Sequence, residues 1–378
     1  MKCFAENILC KDNMAQIQDC FEVQLLDKEN CKEYWVNSTE NHSEGTGVVD
    51  RVLEFLKTQD AKPVSIRLFG SHCDIEEALR LIEVQTDADG VLPLCILQDD
   101  SVDGTPLDIQ VHAVTGANLK RLYFEDVCVG YEFEDAHTKY YMLNVLPDNE
   151  DASKYDQADN LFERSHAILQ GLGLNFSDTI RTWLFIQDIL SWYGDLNKAR
   201  DQFFERHDLF NKLVPASTGI GVMNLQNKAL VANVLAVIPK TNNATLQSVD
   251  SPLQNPALDY KSSFSRAVKV STPDSGRLYI SGTASIDKSG DTLFVDDTSA
   301  QIEMTMQVVH AILNNAGMDW ADTVTSLAYF KHHKDFGLFD DYCRANGIKI
   351  PHIKIHADVC RDDLLFELEL DAMNKSTV

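Results

Sequence analysis

His166-Ala167-Ile168-Leu169 recurs downstream as His310-Ala311-Ile312-Leu313, and the two stretches stay in register without a gap for about thirty positions. Gln157 falls on Gln301, Gly173 on Gly317, Phe176 on Trp320, Asp178 on Asp322, Thr179 on Thr323 and Phe185 on Tyr329. Each stretch reads as an amphipathic helix ending near a glycine, a short acidic turn and an apolar strand: Leu161 to Leu172 then Thr179 to Ile186, and Met304 to Ala316 then Thr323 to Phe330.

Outward from this core, a second helix follows in each copy, around Tyr193 to Arg206 and Phe336 to Ala345. Pro215 and Pro351 open a final pair of strands ending at Ala229 to Val237 and Leu364 to Leu370. Upstream, Arg121-Leu122-Tyr123-Phe124 matches Arg277-Leu278-Tyr279-Ile280 as a strand. The order strands, helix, strand, helix, strands predicts an α+β fold of two tandem units, each a mixed sheet with two helices on one face. The expected domains are an N-terminal α/β extension (1–115), a degenerate copy (116–240), a linker rich in Asn, Thr, Ser, Gln and Pro (241–261), and a second copy carrying the site (262–378). The extension aligns with neither copy; its strand, helix, strand pattern (Pro63 to Leu68, Asp74 to Val84, Val91 to Leu97) suits a third sector or a cap.

With 58 acidic against 33 basic residues, the formal charge of −25 opposes approach to a polyanion, so nucleic acid is not an expected partner. Nine cysteines form no C-x-x-C pair and their odd number leaves one over in any disulfide framework, which fits reduced thiols in a cytoplasm. MKCFAENILCKDN lacks the apolar core of a signal peptide, and no run of about 18 apolar residues occurs, so no membrane association is expected.

The strand Leu278-Tyr279-Ile280-Ser281-Gly282-Thr283-Ala284, the helix end Asn315-Ala316-Gly317-Met318 and the closing Asp363-Leu364-Leu365-Phe366-Glu367-Leu368-Glu369 resemble the RidA/YjgF family, whose units are chorismate-mutase-like in fold. Arg181-Thr182-Trp183, Pro215 to Gly221, Ser281 to Ile286 and Ala357 to Leu365 together resemble the chorismatase family, over residues 115 to 378. That resemblance implies hydrolysis of the enol ether of chorismate, with release of pyruvate. It also implies a glutamate general acid seven residues beyond a variable position, a spacing at which Cys360 and Glu367 stand, and Ala284 as a wall of the pocket. RidA enzymes, by contrast, hydrolyse imines and grip the substrate carboxylate with an arginine soon after the proline that opens the last strands. Here His352 and Lys354 follow Pro351 instead. RidA proteins form trimers with sites between subunits, so a homo-oligomer is an expected partner state and the site is expected at a contact between copies or subunits.

Alternation places Leu365, Glu367 and Glu369 on one face of the closing strand and Phe366, Leu368 and Leu370 on the other. Among buried neighbours Glu367 would stay protonated near neutrality, as a general acid must; on a solvated face it would be an ordinary surface charge. Aligned on the closing strand, Glu367 falls on Asn233, so the first copy is expected to lack the acid. Arg181, Arg277, Lys354 and Arg361 are candidate holders of substrate carboxylates. Gly282, beside the hydroxyls of Ser281 and Thr283, offers donors to a substrate oxygen, with tight sheet packing as the other reading. Cys360 reads as a small pocket-lining residue rather than a nucleophile. His352 and His356 would lie about 13 Å apart on an extended strand, too far for one ion, so neither a metal nor a cofactor is expected.

The sequence thus predicts a hydrolase with Glu367 as its catalytic acid and Arg181, Arg277, Gly282, Thr283, Ala284, Lys354, Cys360 and Arg361 as its substrate-binding residues, acting on a small carboxylated metabolite. An imine or enamine hydrolase, or a catalytically inactive ligand-binding protein, stands as the alternative. Cations around Glu367 favour an enzyme, and a pocket plugged by Phe366 or Tyr279 favours the inactive reading.

Overall fold

The computed structural model describes residues 16–18, 20–28, 30–39, 45–85, 93–98, 106–149, 151–260 and 263–375. The Met1 to Asn13 stretch, with Cys3 and Cys10, and the start of the expected Val91 strand lie outside the described residues. The first unit comprises β1 (Gln16–Ile17), β2 (Phe21–Asp27), β3 (Lys32–Ser38), α1 (Gly47–Thr58), β4 (Lys62–Gly70), α2 (His72–Gln85), β5 (Leu94–Leu97) and β6 (Asp108–Thr115). The second comprises β7 (Lys120–Phe124), β8 (Val127–Glu134), β9 (Thr138–Val145), α3 (Lys154–Gly171), β10 (Thr179–Ile186), α4 (Ile189–Arg206), β11 (Ala216–Gly221), β12 (Met223–Asn224) and β13 (Leu230–Pro239). The third comprises β14 (Thr245–Val249), β15 (Ala267–Ser271), β16 (Ser275–Ala284), α5 (Thr298–Asn315), β17 (Thr323–Phe330), α6 (Phe336–Ala345), β18 (Ile353–His356) and β19 (Phe366–Lys375).

All three sheets share one strand order. The closing strand lies between the strand before the first helix and the strand after it, giving β3-β6-β4-β5, β9-β13-β10-β11 and β16-β19-β17-β18. β4–β5, β10–β11 and β17–β18 pair in parallel because a helix carries the chain back between them. Residues 1–115, expected as an extension distinct from the repeat, therefore contain a third sheet of the same topology. Even the irregularity repeats: register shifts fall between Pro63 and Ser65, Thr179 and Arg181, and Thr323 and Thr325.

Two expectations are corrected. The stretch 241–261 is not simply a linker, since Thr245–Val249 forms edge strand β14, paired antiparallel with β15. Arg121 to Phe124 is not the counterpart of Arg277 to Ile280. It belongs to edge strand β7, whereas the place of β16 beside the closing strand is taken by β9.

The helices cover the outer faces. Leu161, Phe162, Ile168 and Leu169 of α3 pack with Phe203 and Phe204 of α4 over the second sheet, and α5 and Phe339 of α6 cover Phe366, Leu368 and Leu370 of the third. The inner faces meet in a core shared by all three sheets, including Val36, Ile66, Phe133, Trp183, Tyr279 and Tyr329. Three buried arginines tie this interior cyclically. Arg67 of the first unit donates to Asn233 of the second (2.9 Å), Arg181 of the second to Glu369 of the third (2.8 Å), and Arg277 of the third to Glu33 of the first. Each guanidinium also lies over a ring, Arg67 and Arg181 over Trp183 at 4.3 and 4.6 Å and Arg277 over Tyr140 at 4.4 Å, so its desolvation is offset by hydrogen bonds and cation–π contact together.

Candidate active site

β19 alternates as its sequence requires: Phe366, Leu368 and Leu370 enter the helix-covered core, and Glu367 and Glu369 point the other way. That other face is an inter-unit junction rather than a solvated surface. Glu367 is only 6% exposed and Glu369 3%, which rules out the surface-charge reading. Glu369 is held by Arg181, but among the described residues no group donates a hydrogen bond to Glu367. Burial, reinforced by the neighbouring Glu369 charge and only partly opposed by Arg181, pushes the Glu367 carboxyl up to about 8.

Glu367 lines a cavity of about 70 Å³ between the second and third units. The second unit contributes Tyr193, Leu196 and Arg200 from α4 and Ser217 and Gly219 from β11; the third contributes Gly282, Ala284 and Ile286, Phe264 and Arg266, and Cys360, Arg361 and Leu364. The seam is stitched by the Ser217 N–H donating to Ser281 Oγ (2.9 Å) and the Gly282 N–H donating to Thr218 Oγ1 (2.9 Å). Glycine at 282 leaves the carboxyl room to stand where it does: a β-carbon would meet Glu367 Oε1, displacing that side chain, and lie 3.1 Å from Thr218 Cγ2. Its backbone approaches the acid because it has no side chain, and its N–H is already taken.

Three guanidinium groups line the same cavity as Glu367. Arg200 is buried, donates to Asn197 Oδ1 at 2.8 Å and leaves its Nε without an acceptor among the described residues. Arg266 is buried and fixed by two bonds to the Asn255 carbonyl, at 3.1 and 3.0 Å. Arg361 lies at the half-buried edge and donates to the Gly290 carbonyl. Burial, with the nearby Glu367 charge, raises the Cys360 thiol to about 12, so it stays protonated and unreactive. Tyr193 is raised as well, chiefly by burial, and remains a phenol.

The structure brings together five of the nine residues singled out in the sequence: Gly282, Ala284, Cys360, Arg361 and Glu367. The other four lie elsewhere. Arg181 stands behind the acid, committed to Glu369 and Thr218 at 2.8 and 2.7 Å. Arg277 faces the central interior, where Glu33 holds it. Thr283 turns its hydroxyl to the Ser281 carbonyl (2.9 Å) and is buried. Lys354 is at the opposite junction, bound to Asp340 at 2.6 Å. Phe366 lies in the outer core and Tyr279 in the central interior, so neither plugs the cavity. Arg200 and Arg266 were missed because they sit on a helix of the other copy and in the segment before β15, where nothing in the repeat marks them.

Strand register also corrects the counterpart of the acid. Four residues beyond each register shift, Tyr329 pairs with Glu367, Phe185 with Val231 and Phe69 with Asp108. Glu367 therefore corresponds to Val231 rather than Asn233, which pairs with Trp183 and matches Glu369 instead. The second unit has lost its acid, as expected, and the first retains a carboxylate, Asp108.

A family model for endoribonuclease L-PSP matches residues 146–238 and 255–371, more than half of the chain. The chain is 23% identical over 258 residues to a chorismatase of Streptomyces hygroscopicus, covering 62% of this chain and 72% of that protein. It is 24% identical over 222 residues to a 3-hydroxybenzoate synthase of the same organism, covering 51% and 63% respectively. A chorismatase crystal structure superposes with a TM-score of 0.63 at 16% identity, over 90% of this chain and 98% of that one. The repeated strand order, the inter-unit cavity and these similarities agree: the chain belongs to the endoribonuclease L-PSP family of the RidA/YjgF superfamily, with a chorismatase-like architecture.

Proposed function

We propose that this protein is a hydrolase that cleaves the enol ether of chorismate or a related small carboxylated enol ether, with Glu367 as general acid. The observation that carries the reading is a buried carboxyl raised to about 8, set among Arg200, Arg266 and Arg361 in one cavity. At neutral pH the carboxyl holds a proton, and the guanidinium groups are matched to the carboxylates of the substrate.

In this reading Glu367 delivers its proton to the terminal carbon of the enol ether, leaving an oxocarbenium centre on the carbon attached to the ether oxygen. Water adds to that centre and returns a proton to the Glu367 carboxylate. The resulting hemiketal loses the ring alcohol as its C–O bond breaks, giving pyruvate and a ring diol. One water is consumed and the acid is regenerated. Closure of the cavity by apolar Leu184, Leu196, Ile286 and Leu364 raises the strength of every charge interaction inside it.

The test is pyruvate release from chorismate by the purified protein, followed with a coupled dehydrogenase, beside Glu367→Gln. Release that falls by about 10² to 10⁴ in the variant is the expected result. Unchanged release in the variant, or intact chorismate after prolonged incubation with folded protein, would overturn the reading.

A further inference from the structure

The register that relates Asp108 to Glu367 relates more than one residue. On the parallel partner strands, Trp183 pairs with Thr218 and Leu327 with Ile353, each two residues beyond Arg181 and Thr325. Ser217 and Gly219, which line the Glu367 cavity, therefore correspond to His352 and Lys354. These residues, with Asp108, meet at the junction of the third unit with the first, and a cavity of about 290 Å³ opens there. It is the larger of the two, and its walls come from the same places in the fold: the strand before the first helix (Ser38), the closing strand (Asp108), the second helix (Phe336) and its following strand (His352, Lys354).

Its chemistry differs from that of the Glu367 cavity. Phe69, Pro106, Phe336 and Ile353 supply apolar wall. Gln98 lines the cavity at 6% exposure. Its carbonyl oxygen accepts from the His356 N–H at 2.9 Å, and its Nε2 donor has no partner among the described residues. A buried amide donor without an acceptor costs stability, so its retention facing a cavity points to a ligand that supplies one. Both signs of charge are present: the Lys354 ammonium and the His352 ring against Asp108, which accepts from Ser38 Oγ at 2.6 Å, and Asp340, which holds both Lys354 (2.6 Å) and His352 (3.4 Å). A dianion finds the Lys354 and His352 cations here already paired with Asp340, whereas a molecule carrying one charge of each sign matches the lining.

We propose that this junction is a second ligand site, separate from the Glu367 cavity, that binds a small zwitterion of the amino-acid class with an apolar side chain. Its carboxylate meets Lys354 and the Gln98 amide, its ammonium meets Asp108, and its side chain packs against Phe69, Phe336 and Ile353. The site stands on its own geometry and does not depend on the activity at Glu367.

Methyl-labelled isoleucine reports on both cavities without mutation, because Ile353 lines one and Ile286 the other. Leucine, 4-methylpentanoate and 3-methylbutylamine are titrated into the full chain. Saturable shifts of Ile353 with leucine, at least tenfold weaker with the acid or the amine alone and absent at Ile286, are expected. Gln98→Met and Lys354→Met should each weaken leucine at least tenfold, while Glu367→Gln leaves it unchanged. Shifts at Ile286 alone, equal binding of all three probes, loss of binding in Glu367→Gln, or no saturable shift at all would each overturn the proposal.

Discussion

Replacing Glu367 by Gln should slow turnover and stabilise the fold in the same step, the stabilisation by an amount that depends on pH. An unfolded glutamate titrates near 4.5, and burial beside Glu369 raises the folded group to about 8. The folded state therefore holds a proton that the unfolded state has already released between those values. The sign follows: because the folded pKa is the higher one, this group's contribution is at its best below about 4.5, declines as pH rises through the interval and levels off above about 8. Each pH unit costs about 1.4 kcal/mol, so the penalty at pH 7 is about 3 kcal/mol. Glutamine has nothing to ionise, and among the described residues no donor is lost, so Glu367→Gln should escape the penalty. Thermal melts of both proteins at pH 5 and pH 7 provide the assay. The variant should melt close to the parent at pH 5 and several degrees higher at pH 7. Equal melting temperatures at both pH values, or a variant less stable at pH 7, would refute the claim that Glu367 is held protonated.

Three further outcomes follow from the geometry. Gly282→Ala places a methyl against the Glu367 carboxyl with Thr218 behind it, so turnover should fall at least tenfold while far-ultraviolet circular dichroism stays unchanged. Arg181→Met removes the nearer of the two arginines paired with buried Glu369, leaving Arg67 at 4.0 Å, and should cost about 3 kcal/mol in chemical denaturation, whereas Arg181→Met with Glu369→Leu should recover much of that loss. With its thiol raised to about 12, Cys360 should be alkylated by iodoacetamide at neutral pH far more slowly than the exposed Cys73, as read by peptide mass spectrometry.

The four-residue HAIL match was enough to expose the repeat because helix and strand periods are written locally: apolar positions that must share a face recur at fixed spacing whatever the partner. The helix-strand-helix runs and the alternation that aims Glu367 away from the core were legible for that reason. The third sheet was not legible. Topology constrains which strands pair, and the apolar pattern of β2, β3 and β6 satisfies that constraint without preserving residue identities. Alignment of the closing strands by sequence makes Asn233 the counterpart of Glu367, and pairing with β10 moves the match by two residues, to Val231. A two-residue slip keeps the same face, so alternation offers no warning.

By itself, the sequence determined the α+β unit, its repetition, the family and the acid on the inward face of the last strand, all of which depend on local periodicity or short motifs. Only the tertiary structure decided which cations accompany that acid. Charge pairing between strands far apart in sequence commits Arg181 to Glu369 and Arg277 to Glu33, and so removes them from the cavity. Packing of α4 against β11, and the bond from the Ser281 N–H of β16 to the Arg266 carbonyl, bring Arg200 and Arg266 into it. A side chain's role at an inter-unit junction depends on its partners across the seam, and distance along the chain carries no record of them.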